Sequence, residues 1–142
     1  MADTALFSGA RISMLIPQRE PFLMLDAFFK GSDTEAYTGL TVKIDNLFCV
    51  DGQLTETGLI EHMAQSASAL AGYKAYRIQK APPIGFIGEI KKFRVFRLPE
   101  VNERLKTYVQ VISEVLQIQL ISVEIKSADE IIATCQMKIF IE

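Results

Sequence analysis

The stretch TGLIEHMAQSASALAGY, residues 57–73, decides how this chain folds. It is built from strong helix formers and contains no proline. Apolar residues recur at Leu59, Ile60, Met63, Ala64, Ala67, Leu70 and Ala71, the spacing of one helical face. Ala64, Ser66, Ala67, Ser68, Ala69, Ala71 and Gly72 are small, so neighbouring side chains can approach the axis closely. The pattern predicts a helix over about 57–78, with Thr55 or Thr57 as its cap and Ala81-Pro82-Pro83 as its stop. About 22 residues at about 1.5 Å each make it roughly 33 Å long. Such a helix must be enclosed, yet its opening turns carry Glu61 and the only histidine, His62.

Outward from the helix the pattern changes to period two. Residues 84–97 alternate in their second half, with Phe93, Val95 and Leu98 facing differently from Arg94 and Arg97. After the LPEVNE turn, Leu105, Thr107, Val109 and Val111 alternate. Next, Ile118, Leu120, Ser122 and Glu124 oppose Gln119, Ile121, Val123 and Ile125, and EIIATCQMKIFIE ends the chain the same way. These are antiparallel strand patterns. On the other side of the helix, PFLMLDAFFK (residues 21–30) reads as a buried strand, GSDTEA as a turn and AYTGLTVK (residues 36–43) as its antiparallel partner. RISMLI is expected to make one helical turn, stopped by Pro17. The first ten residues are expected to fray, and residues 44–56 to form a loop. The order is two strands, one long helix, then four strands. That is α+β: a curved antiparallel sheet wrapped round one long central helix, the hot-dog arrangement, as a single domain over 1–142.

The chain's 142 residues suit one domain. Hydrophobic residues make up 49% of it, enough for a full core. Fifteen basic and 17 acidic residues leave a net charge of −2, which argues against a general nucleic-acid binder. Cys49 and Cys135 lie far apart, with no CxxC and no His/Cys cluster, so neither a metal site nor a disulfide framework is indicated. That usage makes a cytoplasmic location the expectation. The opening residues lack a signal-like apolar run, and no run approaches the ~18 residues of a membrane span.

Three stretches resemble the bacterial β-hydroxyacyl-acyl-carrier-protein dehydratases. LIPQREPFLMLD is similar to their opening, which reads roughly L-P-H-R-x-P-F-L-L-x-D; LIEHMAQSASALAGY is similar to their central helix; IGFIGEIKKFRVFRLPEVNERL is similar to the strand and corner that follow. The order holds from Leu15 to Ile141. FCVDG before the helix brings the chain nearest to a divergent branch, the hot-dog dehydratases found with aryl-polyene or flexirubin-type pigment pathways. There are departures. Where the main family has a catalytic histidine in G-H-F-P-G, this chain reads FCVDGQLTETG, and the histidine of L-P-H-R is Gln18. Glu61 matches the helix carboxylate and Gln65 the glutamine of M-A-Q.

Dehydration of a β-hydroxyacyl thioester needs a base for the α-proton and an acid for the departing hydroxyl. Glu61 is the first candidate. At the start of a buried helix, burial opposes ionisation while the helix N-terminus favours it, and free N–H groups there can hold a thioester oxygen. The alternative is an acid that merely stabilises its own helix. His62 lies about 100° round the helix from Glu61, so the two side chains diverge. His62 acts on chemistry only by reaching a partner's pocket across a two-fold axis, or else is hydrogen-bonded at that interface. Gln65, one turn after Glu61, is placed to orient the carboxylate or to satisfy a nearby strand. Asp51 stands where the family has its histidine, but Asp51-Gly52 is also an ordinary turn pair. Leu59, Ile60, Phe48 and Cys49 are candidate walls for the acyl chain, with Cys49 a filler rather than a nucleophile.

Lys91, Lys92, Arg94 and Arg97, joined by Lys74, Arg77 and Lys80, form either a solvated face or a dock for an acidic acyl carrier protein. Phe93 and Phe96 are expected in the core. The resemblance implies a dimer, homo- or heteromeric with a related hot-dog chain. The substrate would ride on the phosphopantetheine of the carrier, with no metal or redox cofactor. Three functions stay open: a 3-hydroxyacyl-thioester dehydratase, a non-catalytic subunit that pairs with an active dehydratase, and an acyl thioesterase.

Overall fold

A computed structural model describes residues 4–142. Its centre is helix α1, Glu56–Arg77. Thr55 caps it: the backbone there is extended and its hydroxyl oxygen accepts from the Gly58 N–H at 3.3 Å. The far end closes when Gln79 turns left-handed at φ 59° and the Lys80 N–H reaches Ala75 O at 2.9 Å. Buried residues run from Gly58 and Leu59 through His62, Met63, Gln65, Ser66, Ala67, Ala69, Leu70 and Gly72 to Ala75, most of the way round the cylinder. Enclosure of this kind needs small residues. A Cβ on Gly72 would stand 1.8 Å from Leu15 O, so the Leu15–Ile16 backbone can cross the helix only over a glycine.

The sheet that wraps the helix has seven strands, in the order β1-β2-β3-β7-β8-β9-β6. They are β1 (Phe7–Ser8), β2 (Ala27–Gly31), β3 (Glu35–Thr41), β6 (Gly85–Val95), β7 (Arg104–Val115), β8 (Ile118–Ser127) and β9 (Glu130–Ile141), paired antiparallel throughout. The period-two reading sets the faces correctly. Leu105, Thr107 and Val109 of β7 and Gln119, Ile121, Val123 and Ile125 of β8 are buried, and their alternates are not. The hot-dog architecture expected from the sequence is the one observed.

Four local expectations are corrected. Residues 21–26 are not strand, because the Met24 N–H is taken by the Gln65 side chain; pairing begins only at Asp26, whose N–H reaches Gly39 O. Residues 7–10 are not frayed, while the helical turn expected at the start of RISMLI is present over 11–14. Phe7 is buried edge-on against Phe28, Tyr73 and Tyr76, and a 3-10 helix, Gly9–Met14, follows β1; residues 1–3 lie outside the described residues. The loop before α1 holds a small hairpin, β4 (Cys49–Val50) with β5 (Gln53–Leu54), turned by Asp51 and Gly52 at φ 52° and 79°. Phe96 is 63% exposed: it stands three residues after Phe93, so the alternation that keeps Phe93 and Val95 against the core turns Phe96 outward.

One sheet edge is left open. β6 pairs with β9 on one side only, and Phe86, Ile87 and Ile90 along it are exposed, as are Ile84 just before it and Phe140 and Ile118 beside it. An apolar, unpaired edge presents free backbone N–H and C=O groups that another strand can pair with. No helix among the described residues is long and apolar enough to cross a membrane.

Candidate active site

A cavity of about 310 Å³ lies beside α1, at the β6 end of the sheet. One wall is a helix stripe: Glu61, Ala64, Ser68 and Ala71, at spacings of three, four and three. The opposite wall is Ile84 just before β6, Phe86 and Ile87 at its start, and Ile139 and Ile141 of β9. Pro17 and Gln18 close one side, and Gln119 adds an amide. The lining is therefore mostly apolar, with Glu61 as its single titratable side chain.

Glu61 is half-buried, and its Oε1 accepts from Gln65 Nε2 at 3.0 Å. The same Nε2 donates to Phe22 O at 2.9 Å, while Gln65 Oε1 accepts from the Met24 N–H at 2.6 Å. Both sequence readings of Gln65 thus hold at once: it holds the carboxylate and satisfies the neighbouring segment. The oxyanion idea does not hold. The helix starts at Glu56, so Glu61 sits in its second turn, whereas the unpaired N–H groups belong to the first. Those of Gly58 and Leu59 are already taken, by the Thr55 hydroxyl and Thr55 O.

His62 is corrected outright. It is fully buried, with Nδ1 2.7 Å from Met24 O and Nε2 2.7 Å from Thr107 Oγ1. A carbonyl only accepts, so Nδ1 carries the proton and Nε2 accepts from the threonine hydroxyl. Burial pushes its pKa down to about 4, against the upward pull of the Met24 contact. A neutral ring with both nitrogens engaged inside its own protomer cannot reach a partner's pocket.

The remaining candidates lie apart from the cavity. Asp51 is exposed at the hairpin turn. Leu59 is core, and Ile60 and Phe48 pack against it; the helix turns Leu59 and Ile60 away from the Glu61 stripe, and Phe48 lies in the loop before β4. Cys49 points its thiol at Lys43 O, 3.3 Å away, and burial together with Asp45 raises its pKa. Of the basic stretch, Lys91 faces Glu89 at 3.8 Å, whereas Lys92 and Arg94 lie with Ser122, Thr134 and Gln136 along an open depression. Arg97 is engaged within its own chain. It is forked onto Glu103 at 2.7 and 2.9 Å and also bonded to Glu130, an arrangement that pulls the Glu103 pKa down to about 2. Among the described residues no cluster of three His, Cys, Asp or Glu is assembled for a metal. Gln119 was findable from sequence, as a polar residue in the inward register of β8. The cavity's Ile139 and Ile141 were not, since only the fold brings them opposite Glu61.

A curved antiparallel sheet wrapped round one long helix defines a hot-dog domain. The chain belongs to the ApeP-like family, described as ApeP dehydratase, whose model matches residues 10–142. The dehydratase heterocomplex ApeI:P from Xenorhabdus doucetiae superposes with a TM-score of 0.86 at 18% identity, over 92% of this chain and 90% of that one. An HP0420 homologue from Helicobacter felis gives 0.71 at 13% identity, over 91% and 86%. A hypothetical thioesterase with coenzyme A from Streptococcus pneumoniae TIGR4 gives 0.65 at 9%, over 81% and 84%. No curated protein matches the chain in sequence.

Proposed function

We propose that this ApeP-like dehydratase removes water from a 3-hydroxyacyl thioester carried on the phosphopantetheine arm of an acyl carrier protein, in polyene-type or fatty-acid biosynthesis. The carrying observation is Glu61, held by Gln65 on the wall of an apolar cavity. In the reaction a base takes the proton from C2, the C2–C3 double bond forms, the C3–O bond breaks, and the hydroxyl leaves as water with a proton from an acid. As a carboxylate Glu61 accepts the C2 proton; as the acid it returns that proton to the departing oxygen, so one group serves both steps without net proton change. Nothing in this scheme calls for a metal or redox cofactor.

The open β6 edge forms one cavity wall, which supports assembly with a second hot-dog chain across that edge. The heterocomplex named for the structural relative fits a heterodimer, and Lys92 and Arg94 suit docking of an acidic carrier. A second reading, a subunit that completes an active dehydratase, is favoured by the cavity's single titratable side chain.

Purified protein, alone and with a related hot-dog chain, is offered carrier-bound 3-hydroxyacyl and saturated acyl thioesters. Enoyl product from the chain alone, reduced at least about 100-fold in Glu61→Gln, supports the first reading. Product only in the mixture, unaffected by Glu61→Gln, supports the second. Free thiol without enoyl product means a thioesterase.

A further inference from the structure

The face of the sheet turned away from α1 carries a depression of about 290 Å³, lined by Lys92 and Arg94 of β6, Thr134 and Gln136 of β9 and Ser122 of β8. Cys135 borders it too, but sends its thiol inward to Met63 Sδ, 3.3 Å away. Thr134 and Gln136 are the outward alternates of the buried Ala133, Cys135 and Met137, as Ser122 is of Ile121 and Val123. The register sets Arg94 opposite Thr134 and Ser122 opposite Gln136, so the donors stand side by side on three neighbouring strands, roughly 10 Å across.

A bulge brings Lys92 to this face. Lys91 pairs with Gln136 and Arg94 with Thr134, so Lys92 and Phe93 together oppose Cys135. Phe93 stays against the core, while Lys92, at φ 52°, is exposed on the rim beside Arg94. A left-handed backbone at a residue other than glycine is strained, and strain of this kind is retained where the placement of a side chain matters. The neighbouring cations have counter-charges: Lys126 faces Glu124, and Lys91 and Lys138 face Glu89, each at 3.8 Å. Arg97 is held by Glu103 and Glu130. No carboxylate lines the depression, and among the described residues neither Lys92 nor Arg94 is in an ion pair.

We propose that this depression binds a phosphoryl group. Arg94 offers a planar fork for two of its oxygens, and Lys92 adds a second positive charge. The hydroxyls of Ser122 and Thr134 and the Gln136 amide N–H supply donors for the remaining oxygens. A carboxylate has two oxygens and one charge, which leaves much of this donor set unused. A phosphate ester has at least as many oxygens as the two cations need and, as a monoester, nearly two charges. The depression and the Glu61 cavity lie on opposite faces of the sheet, so the inference goes beyond the dehydratase reading and does not depend on it. It gives Lys92 and Arg94 a ligand other than acidic side chains of a carrier. Two sources carry the required chemistry: the phosphopantetheine arm, and a free phosphate ester such as coenzyme A.

The test is titration of the full chain at low salt, followed by backbone amide shifts, with inorganic phosphate and with succinate, a dicarboxylate of similar charge. It is repeated on Arg94→Gln, Lys92→Met and Thr134→Val, and on Arg77→Gln at the end of α1 as a control for charge alone; unchanged melting temperatures show that each variant is folded. Phosphate is expected to shift the amides around Lys92, Ser122 and Thr134 and to bind at least about threefold more tightly than succinate. Arg94→Gln and Lys92→Met are each expected to weaken it by about tenfold, and Thr134→Val by about threefold although it keeps the charge. Tighter binding of 4′-phosphopantetheine than of pantetheine, abolished in Arg94→Gln, supports the proposal with the arm as source. Tighter binding of coenzyme A than of its 3′-dephospho form, abolished in the same way, supports it with the nucleotide phosphate as source. The proposal is overturned if succinate binds as tightly as phosphate, if phosphate binding is indifferent to Arg94→Gln and Lys92→Met, or if Arg77→Gln loses as much. Variants that impair use of a carrier but not phosphate binding overturn it as well, and leave docking through carboxylates in its place.

Discussion

The side-chain amide of Gln65 joins the Glu61 carboxylate to the segment that crosses over the helix start, donating to Glu61 Oε1 at 3.0 Å while accepting from the Met24 N–H at 2.6 Å. A residue four positions along one helix thus ties the Glu61 carboxylate to a backbone 41 positions away in sequence. Two consequences of one substitution therefore travel together.

Gln65→Leu leaves the Met24 N–H buried without an acceptor and frees the carboxylate. We expect a loss of about 1–3 kcal/mol in urea unfolding and a fall of about tenfold or more in turnover. Unchanged turnover in a destabilised variant would show that Gln65 is a packing residue and does not orient Glu61.

His62 makes the fold sensitive to mild acid. Its folded pKa, about 4, lies below the ordinary 6.5, so between those values the unfolded chain binds a proton that the folded chain refuses. Stability from this group is present above about pH 6.5 and is lost as pH falls toward 4, by roughly 3 kcal/mol in all. Denaturant curves of the unaltered chain against His62→Gln, from pH 7 to 4, should separate by that slope; parallel pH profiles would contradict it.

Gly72→Ala gains about 1 kcal/mol in helix propensity. It also drives a methyl to 1.8 Å from Leu15 O, a backbone atom that has to move. Overpacking of this kind costs about 3 kcal/mol or more and should win. The expected result is a lower denaturation midpoint, and an equal or higher one would mean that the crossing is looser than the structure shows.

Lys92 and Arg94 should separate from Arg97 in function. Reversing the charge of Lys92 and Arg94 is expected to raise KM for a carrier-bound substrate by about tenfold at low salt while leaving a small thioester unaffected. Arg97→Met is expected to lower the melting temperature, since it strands Glu103 and Glu130, without a specific effect on the carrier. Equal KM effects from all three would return Arg97 to the docking surface.

The enclosed helix was legible because enclosure leaves a local mark: small and apolar residues distributed round one segment. The strand faces were legible for a similar reason, as inward and outward positions alternate residue by residue. Residues 21–26 misled because an apolar run records burial but not its hydrogen-bond partners, and here the partner is the Gln65 side chain. Phe96 misled because its apolar character was read as inward although its parity along the strand is opposite to that of Phe93.

Composition and periodicity by themselves determined the architecture and put Glu61 and Gln65 on adjacent turns of one helix. Only the tertiary structure decided which polar groups remain available. It spent both nitrogens of His62 on Met24 and Thr107, locked Arg97 between two glutamates, and shared the Gln65 amide between Glu61, Phe22 and Met24. The reason is that propensity and pattern act within a few residues along the chain. The pairing of a buried polar atom depends on what the fold brings to within 3 Å or so of it.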